Sequence, residues 1–268
     1  MNEKRLWEGA QLQRMIKHPL TTNERKHEEN IIDLTLRGHS KIKFDNINLL
    51  EKLRDETEEL LKGEHAYDLA PPHFKCIRNP LLHSKTIIDI MTNDTLVDIA
   101  TEYLRCKPAI GTLNLRRSFV TDAPEDNTLF FHSDPNSIKF LKFFFYLNDV
   151  DMDGGPFTYV EGSINDVGGT RGQLKGFESK YRWTYDEVVS KYGEDKIKYL
   201  TANFGDVLMA DTNGMHRGTQ VKTKERTMLT LNYVIHKEEW TKTEKIYKDD
   251  AWQVPQDKQY LLDFLEKI

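Results

Sequence analysis

His132, Asp134, His216 and Arg226 are the residues of this chain whose types and spacing carry chemistry. His132 and Asp134 flank Ser133; His216 follows His132 by 84 residues and Arg226 follows His216 by 10. Two imidazoles and one carboxylate fill one face of an octahedral metal site and leave the other face open, the donor set of non-haem iron(II) oxygenases. Residues two apart on a strand point to the same side, so His132 and Asp134 can reach one ion. A metal site needs no guanidinium. Arg226 gains a purpose when a dicarboxylate chelates that metal, because a planar fork binds the far carboxylate through two parallel hydrogen bonds. A lone His-x-Asp is a common accident, and the weight comes from His216 and Arg226 in addition.

These residues must be positioned by strands. Lys139-Phe140-Leu141-Lys142-Phe143-Phe144-Phe145-Tyr146-Leu147 is aromatic and β-prone and ends in Asn148-Asp149, after which Asp153-Gly154-Gly155-Pro156 makes a turn. Phe157-Thr158-Tyr159-Val160 reads as the next strand. Gly205 to Gly218 reads as strand, tight turn at Asn213-Gly214, and strand again, since Asn-Gly between apolar runs signals a hairpin. From Arg226 onward, Met228, Thr230 and Asn232 share its face, and Leu229, Leu231, Tyr233 and Ile235 share the other. That pattern predicts a polar lined interior and an apolar back. Gly111 to Val120 reads as a strand on which Asn114, Arg116 and Ser118 alternate with Leu113, Leu115, Arg117 and Phe119. For Arg116 and Arg117 two readings stand: surface ion pairs, or one guanidinium that faces the pocket with Asn114 and meets a carboxylate or phosphate.

The order His-x-Asp, aromatic strand, Asp-Gly-Gly-Pro, Val-Glu-Gly-Ser, Gly-Asp-Val-Leu, His-Arg-Gly and then Arg resembles the phytanoyl-CoA dioxygenase-like family over residues 108–236. The resemblance implies a mainly β fold with flanking helices, a double-stranded β-helix or cupin-like jelly roll. It implies iron(II) held by His132, Asp134 and His216, with 2-oxoglutarate and O2 consumed and succinate and CO2 released. Arg226 would then clamp the far carboxylate of 2-oxoglutarate. Two readings stand for Asn114 and Tyr146, further donors to 2-oxoglutarate or core and edge residues, and Met228, which shares the parity of Arg226, is the candidate wall of that pocket. Arg116 and Arg117 are the candidates for contact with the primary substrate. Related halogenases replace the carboxylate ligand with a small residue, so Asp134 favours hydroxylation of an unactivated C–H bond; desaturation, cyclisation and epimerisation use the same ligands. The chain departs from the family at Glu161-Gly162-Ser163-Ile164, where Pro-Gly-Ser-His is usual.

Composition narrows the alternatives. The formal net charge is −5 and the pI about 6.0, which gives no electrostatic case for nucleic acid. Two cysteines, Cys76 and Cys106, make no disulfide framework, and no apolar run approaches a membrane span, so the expectation is a cytoplasmic protein with a small-molecule partner. The pattern divides a single domain into a helical buttress over 1–107, a core over 108–236 with an insertion at 164–204, and an extension over 237–268. Helices are expected over Asp45–Gly63, Asp94–Arg105, from the capping box Thr184–Glu187 to Gly193, and over Pro255–Ile268; residues 65–83 read as irregular loop. Gly168, Gly169, Arg171 and Gly172 make the insertion flexible and partly basic, a candidate lid in which Trp183 and Tyr185 could meet substrate. Two competing readings are a barrel that binds a metal or a carboxylate without turnover, and the same chemistry on a protein substrate. The oligomeric state is left open.

Overall fold

Strands whose alternate side chains pack on opposite sides of the sheet organise the molecule. The computed structural model describes residues 3–20, 25–134, 139–167, 174–176, 181–237, 247–249 and 252–267. Its strands are β1 (His39–Lys43), β2 (Ala66–Leu69), β3 (Phe74–Ile77), β4 (Ala109–Ser118), β5 (Leu141–Tyr146), β6 (Phe157–Val160), β7 (Ile197–Leu200), β8 (Asp206–Ala210), β9 (His216–Gly218), β10 (Arg226–Val234), β11 (Tyr247–Lys248) and β12 (Glu266–Lys267). Its helices are α1 (Glu3–Lys17), α2 (Glu28–Leu36), α3 (Ile47–Leu60), α4 (Lys85–Met91), α5 (Asp94–Leu104) and α6 (Tyr185–Tyr192).

A seven-stranded antiparallel sheet runs β1-β8-β5-β10-β4-β3-β2, and a three-stranded sheet runs β7-β6-β9. On the larger sheet, Leu113 and Leu115 of β4, Phe143 and Phe145 of β5, Val207 and Met209 of β8, and Leu229, Leu231 and Tyr233 of β10 join one apolar cluster with α3, α4 and α5. The opposite parity turns inward: Phe144 and Tyr146, Leu208 and Ala210, and Met228 pack with Phe157 and Tyr159 of the smaller sheet. The apolar back expected for β10 is therefore the helix-covered face. The helices have local reasons to start and stop. Asn93 caps α5 by accepting from the Leu96 amide, and Arg105 closes it in the left-handed region. Thr184 and Glu187 form both bonds of the capping box that starts α6.

Several expectations are corrected. Residues 65–83 contain β2 and β3, with Phe74 and Cys76 buried on one side of a strand that adds to β4. The flanking prolines hid a short alternation. Two further strands, β1 and β7, lie in stretches read as part of the buttress and the insertion. Asn213-Gly214 does not close a hairpin, because β8 belongs to the larger sheet and β9 to the smaller. The turn instead carries the chain between layers. A Cβ on Gly214 would lie 1.8 Å from the Tyr159 hydroxyl, which explains the glycine. The C-terminal helix is a 3-10 segment, Gln256–Leu262, followed by β12. Gly168, Gly169, Arg171 and Gly172 lie outside the described residues. Among the described residues no helix is long and apolar enough to cross a membrane.

Candidate active site

His132, Asp134 and His216 come together although they belong to different segments. The backbones of His132 and His216 form a reciprocal bridge, with N···O distances of 2.8 and 2.9 Å. The Asp134 amide donates to Thr212 O at 2.9 Å, which ties the same segment to the crossover. One ligand atom from each of the three residues lies within 4.8 Å of the others. His132 Nε2 is 3.9 Å from Asp134 Oδ1, and His216 Nε2 is 3.6 Å from Asp134 Oδ2.

The rings are oriented for coordination. His132 Nδ1 lies 2.8 Å from Phe130 O and His216 Nδ1 lies 2.9 Å from Gly214 O. A carbonyl can only accept, so each Nδ1 carries the proton and each Nε2 presents a lone pair to the site. Burial and then the neighbouring His216 push His132 down to about 3, against the pull of Asp134. Burial likewise lowers His216, again opposed by Asp134. Both imidazoles are thus neutral, the state a metal requires. Burial alone would raise the Asp134 carboxyl; Lys142, followed by the two histidines, outweighs it and holds the group well below the usual carboxylate range. Asp134 Oδ2 accepts from Lys142 Nζ and Thr212 Oγ1, both at 2.6 Å.

The three residues open onto a cavity of about 250 Å³ between the sheets. Its floor is a grid on the larger sheet: Arg226, Met228 and Thr230 along β10, Arg116, Asn114 and Thr112 along β4, and Phe144 and Lys142 along β5. Arg226 is only 1 % exposed, its Nη2 donates to Ser118 Oγ at 3.2 Å, and its Nε has no hydrogen-bond partner among the described residues. Burial, with Arg116 adding to it and Tyr146 opposing it, pushes the Arg226 guanidinium down to about 10, so it remains charged at neutral pH.

Parity separates the two arginines left open by the sequence. Arg116 lines the cavity. Arg117 turns to the outer side, donates to Thr227 Oγ1 at 2.9 Å, and pairs with Glu58 and with Glu225. Asn114 and Met228 line the cavity. Tyr146 does not. Its hydroxyl accepts from the Phe157 amide at 2.8 Å and donates to Leu200 O at 3.5 Å, so it bridges the sheets instead of reaching a ligand. Trp183 and Tyr185 pack with Phe131 and Val188 beneath the smaller sheet.

Lys142 and Thr212 were not foreseen. Lys142 had a signal, a lone cation on the inward parity of an otherwise aromatic strand. Thr212 had none, because its role depends on the crossover.

No protein-family model matches the sequence, and no curated protein is detectably similar to it. Solved structures are similar. EctD from S. alaskensis with bound Fe aligns at TM-score 0.62 and 17% identity, covering 81% of this chain and 80% of its own. HygX from Streptomyces hygroscopicus with nickel and 2-oxoglutarate bound aligns at 0.60 and 16%, covering 78% and 87%. The epimerase SnoN in complex with Fe3+, alpha ketoglutarate and nogalamycin RO aligns at 0.59 and 15%, covering 77% and 82%. This chain is a double-stranded β-helix of the cupin type. Its candidate site lies between the two sheets of that fold, with His216 on β9 and Arg226 opening β10.

Proposed function

We propose that the protein is an iron(II)- and 2-oxoglutarate-dependent oxygenase that hydroxylates an unactivated C–H bond of a small molecule. One observation carries the reading: a two-histidine, one-carboxylate cluster and a buried arginine that has no carboxylate partner among the described residues line the same cavity. The donor set fits iron(II), with the open positions that a chelating 2-oxo acid and O2 require. When bound, the metal with its co-substrate supplies the oxidising power, and the protein supplies binding, orientation and shielding.

The side chains divide that work. His132 and His216 offer Nε2 lone pairs from rings fixed by carbonyls. Asp134 is held from behind by Lys142 and Thr212, which fixes the direction of its carboxylate. Arg226 receives the far carboxylate of the co-substrate in a buried setting, where a charged hydrogen bond loses little to water. Phe144 and Phe157 stack at 4.4 Å between ring centroids and keep water from the cavity wall. Asp134 supplies the third ligand, and this favours hydroxylation over halogenation. The solved structures of this fold with iron alone, and with iron or nickel together with 2-oxoglutarate, support the reading.

The test is an anaerobic titration with iron(II) and then 2-oxoglutarate, watched for the weak visible charge-transfer band of the chelate. The band should appear, and succinate should form slowly when O2 is admitted without substrate. A saturated protein that shows neither is not an oxygenase of this kind, and the carboxylate-binding barrel replaces it. Pools of small molecules and of peptides, screened for accelerated succinate release, identify the substrate class.

A further inference from the structure

We propose that Arg116 and Arg226 together seat the far carboxylate of the 2-oxo acid co-substrate, as a clamp of two guanidinium groups. This rests on the oxygenase reading above and adds a binding residue to it.

Register places the two side chains together. On the paired strands β10 and β4, Arg226 stands opposite Ser118 and Met228 stands opposite Arg116. All four share the inward face, so the arginines are diagonal neighbours on adjacent strands. Their forks also converge. Arg226 leans toward β4 to donate to Ser118 Oγ. The Arg116 guanidinium lies 4.8 Å from the ring centroid of Phe74, and Phe74 is itself registered with Ser118. Both forks therefore gather at one end of the cavity, around Ser118. Asp134 and Lys142 occupy the metal end.

Neither arginine has a carboxylate partner among the described residues, and the buried Nε of each makes no hydrogen bond to protein. Arg117, one residue along on the outer face, shows the contrast with Glu58 and Glu225 in pairing distance. A guanidinium stays protonated in proteins, and burying it without an anion is costly. Two such groups side by side also repel. A single carboxylate relieves both, because its oxygens offer about four acceptor sites and each fork can take two. The clamp explains why the cavity carries more positive charge than one arginine would need. It also predicts strong preference for 2-oxo acids that end in a second carboxylate.

The experiment uses the full chain loaded anaerobically with iron(II). Two ligands are titrated, 2-oxoglutarate and 2-oxopentanoate, which chelates the metal alike but lacks the far carboxylate. Wild type, Arg116→Met, Arg226→Met and the double variant are compared. The clamp predicts that Arg116→Met weakens 2-oxoglutarate by about 10- to 100-fold and leaves 2-oxopentanoate unchanged. Arg226→Met should keep part of the preference for 2-oxoglutarate, and the double variant should lose it. Unchanged 2-oxoglutarate affinity in Arg116→Met overturns the clamp alone and assigns Arg116 to another anion. Equal loss of both ligands overturns it as well, since that marks a distorted site. A wild type that binds metal but not 2-oxoglutarate overturns the clamp and the oxygenase reading together.

Discussion

The two faces of the seven-stranded sheet are built on opposite terms. The outer face is helix-covered and largely apolar; its Tyr233 hydroxyl is satisfied by Met91 O at 2.6 Å and its Arg117 by Glu58 and Glu225. The inner face carries Asn114 Oδ1, Arg116 Nε, Arg226 Nε and both amide atoms of Asn232 buried without protein hydrogen bonds. Such groups cost stability where nothing pairs them. The same strands therefore hold the fold with one parity and are ready for a ligand with the other. Residues that stabilise and residues that bind should then separate cleanly under mutation.

The largest effect is expected at the proposed metal ligands. His132→Ala or Asp134→Ala should abolish iron(II) binding, read as loss of the chelate band, with little change in far-ultraviolet circular dichroism. The mirror experiment lies on the other face. Leu231→Ala, at a position with no exposure, should cost about 2–5 kcal/mol in denaturant unfolding. Its 2-oxoglutarate affinity, measured well below the unfolding transition, should stay at the wild-type value. A Leu231→Ala protein that keeps its stability and loses its ligand would erase the distinction between the faces.

A subtler division is expected at Arg226. Without ligand, Arg226→Met should be as stable as wild type or more so, since a buried cation without an anion is replaced by an apolar chain of similar length. With 2-oxoglutarate at about 100 times the wild-type dissociation constant, wild type should gain about 2.7 kcal/mol and the variant far less. Thermal unfolding with and without ligand reads both.

The smallest effect concerns Asp211, buried where the chain leaves the larger sheet. Burial raises its carboxyl to about 6 from 3.8, against hydrogen bonds from Asn213 and Tyr103. An acid with a raised folded pKa keeps its proton longer when folded. The Asp211 contribution to stability should therefore fall as pH rises from about 4 to about 6 and level off above, a loss on the order of 2–3 kcal/mol that opposes the gain from the buried, neutral His132 and His216 over the same window. Asp211→Asn removes that slope, so the gap between variant and wild type should move in the variant's favour across this window. Parallel pH profiles for the two proteins would refute the assignment.

How much of this was legible in the sequence follows from what each feature depends on. His132, Asp134, His216 and Arg226 stood out because coordination and carboxylate binding demand those residue types at one strand parity. The split of β10 into a working face and a packing face followed from period two alone. Sheet membership was not legible at Asn213-Gly214, because turn chemistry is local while the partner of β9 is set by contacts with β6. Tyr146 had the right parity but lost its hydroxyl to the neighbouring sheet, a spacing that no one-dimensional pattern encodes. The edge strands β1 and β2, and β3 beside β2, escaped because they are short, with charged residues or prolines in or beside them.

Lys142 has a consequence for how the protein is made. Its ammonium gives Asp134 a counter-charge that the chain carries with it, so the carboxylate can enter the interior before any ion arrives. On the proposed function, folding need not wait for the metal, because Asp134 already has its counter-charge within the chain.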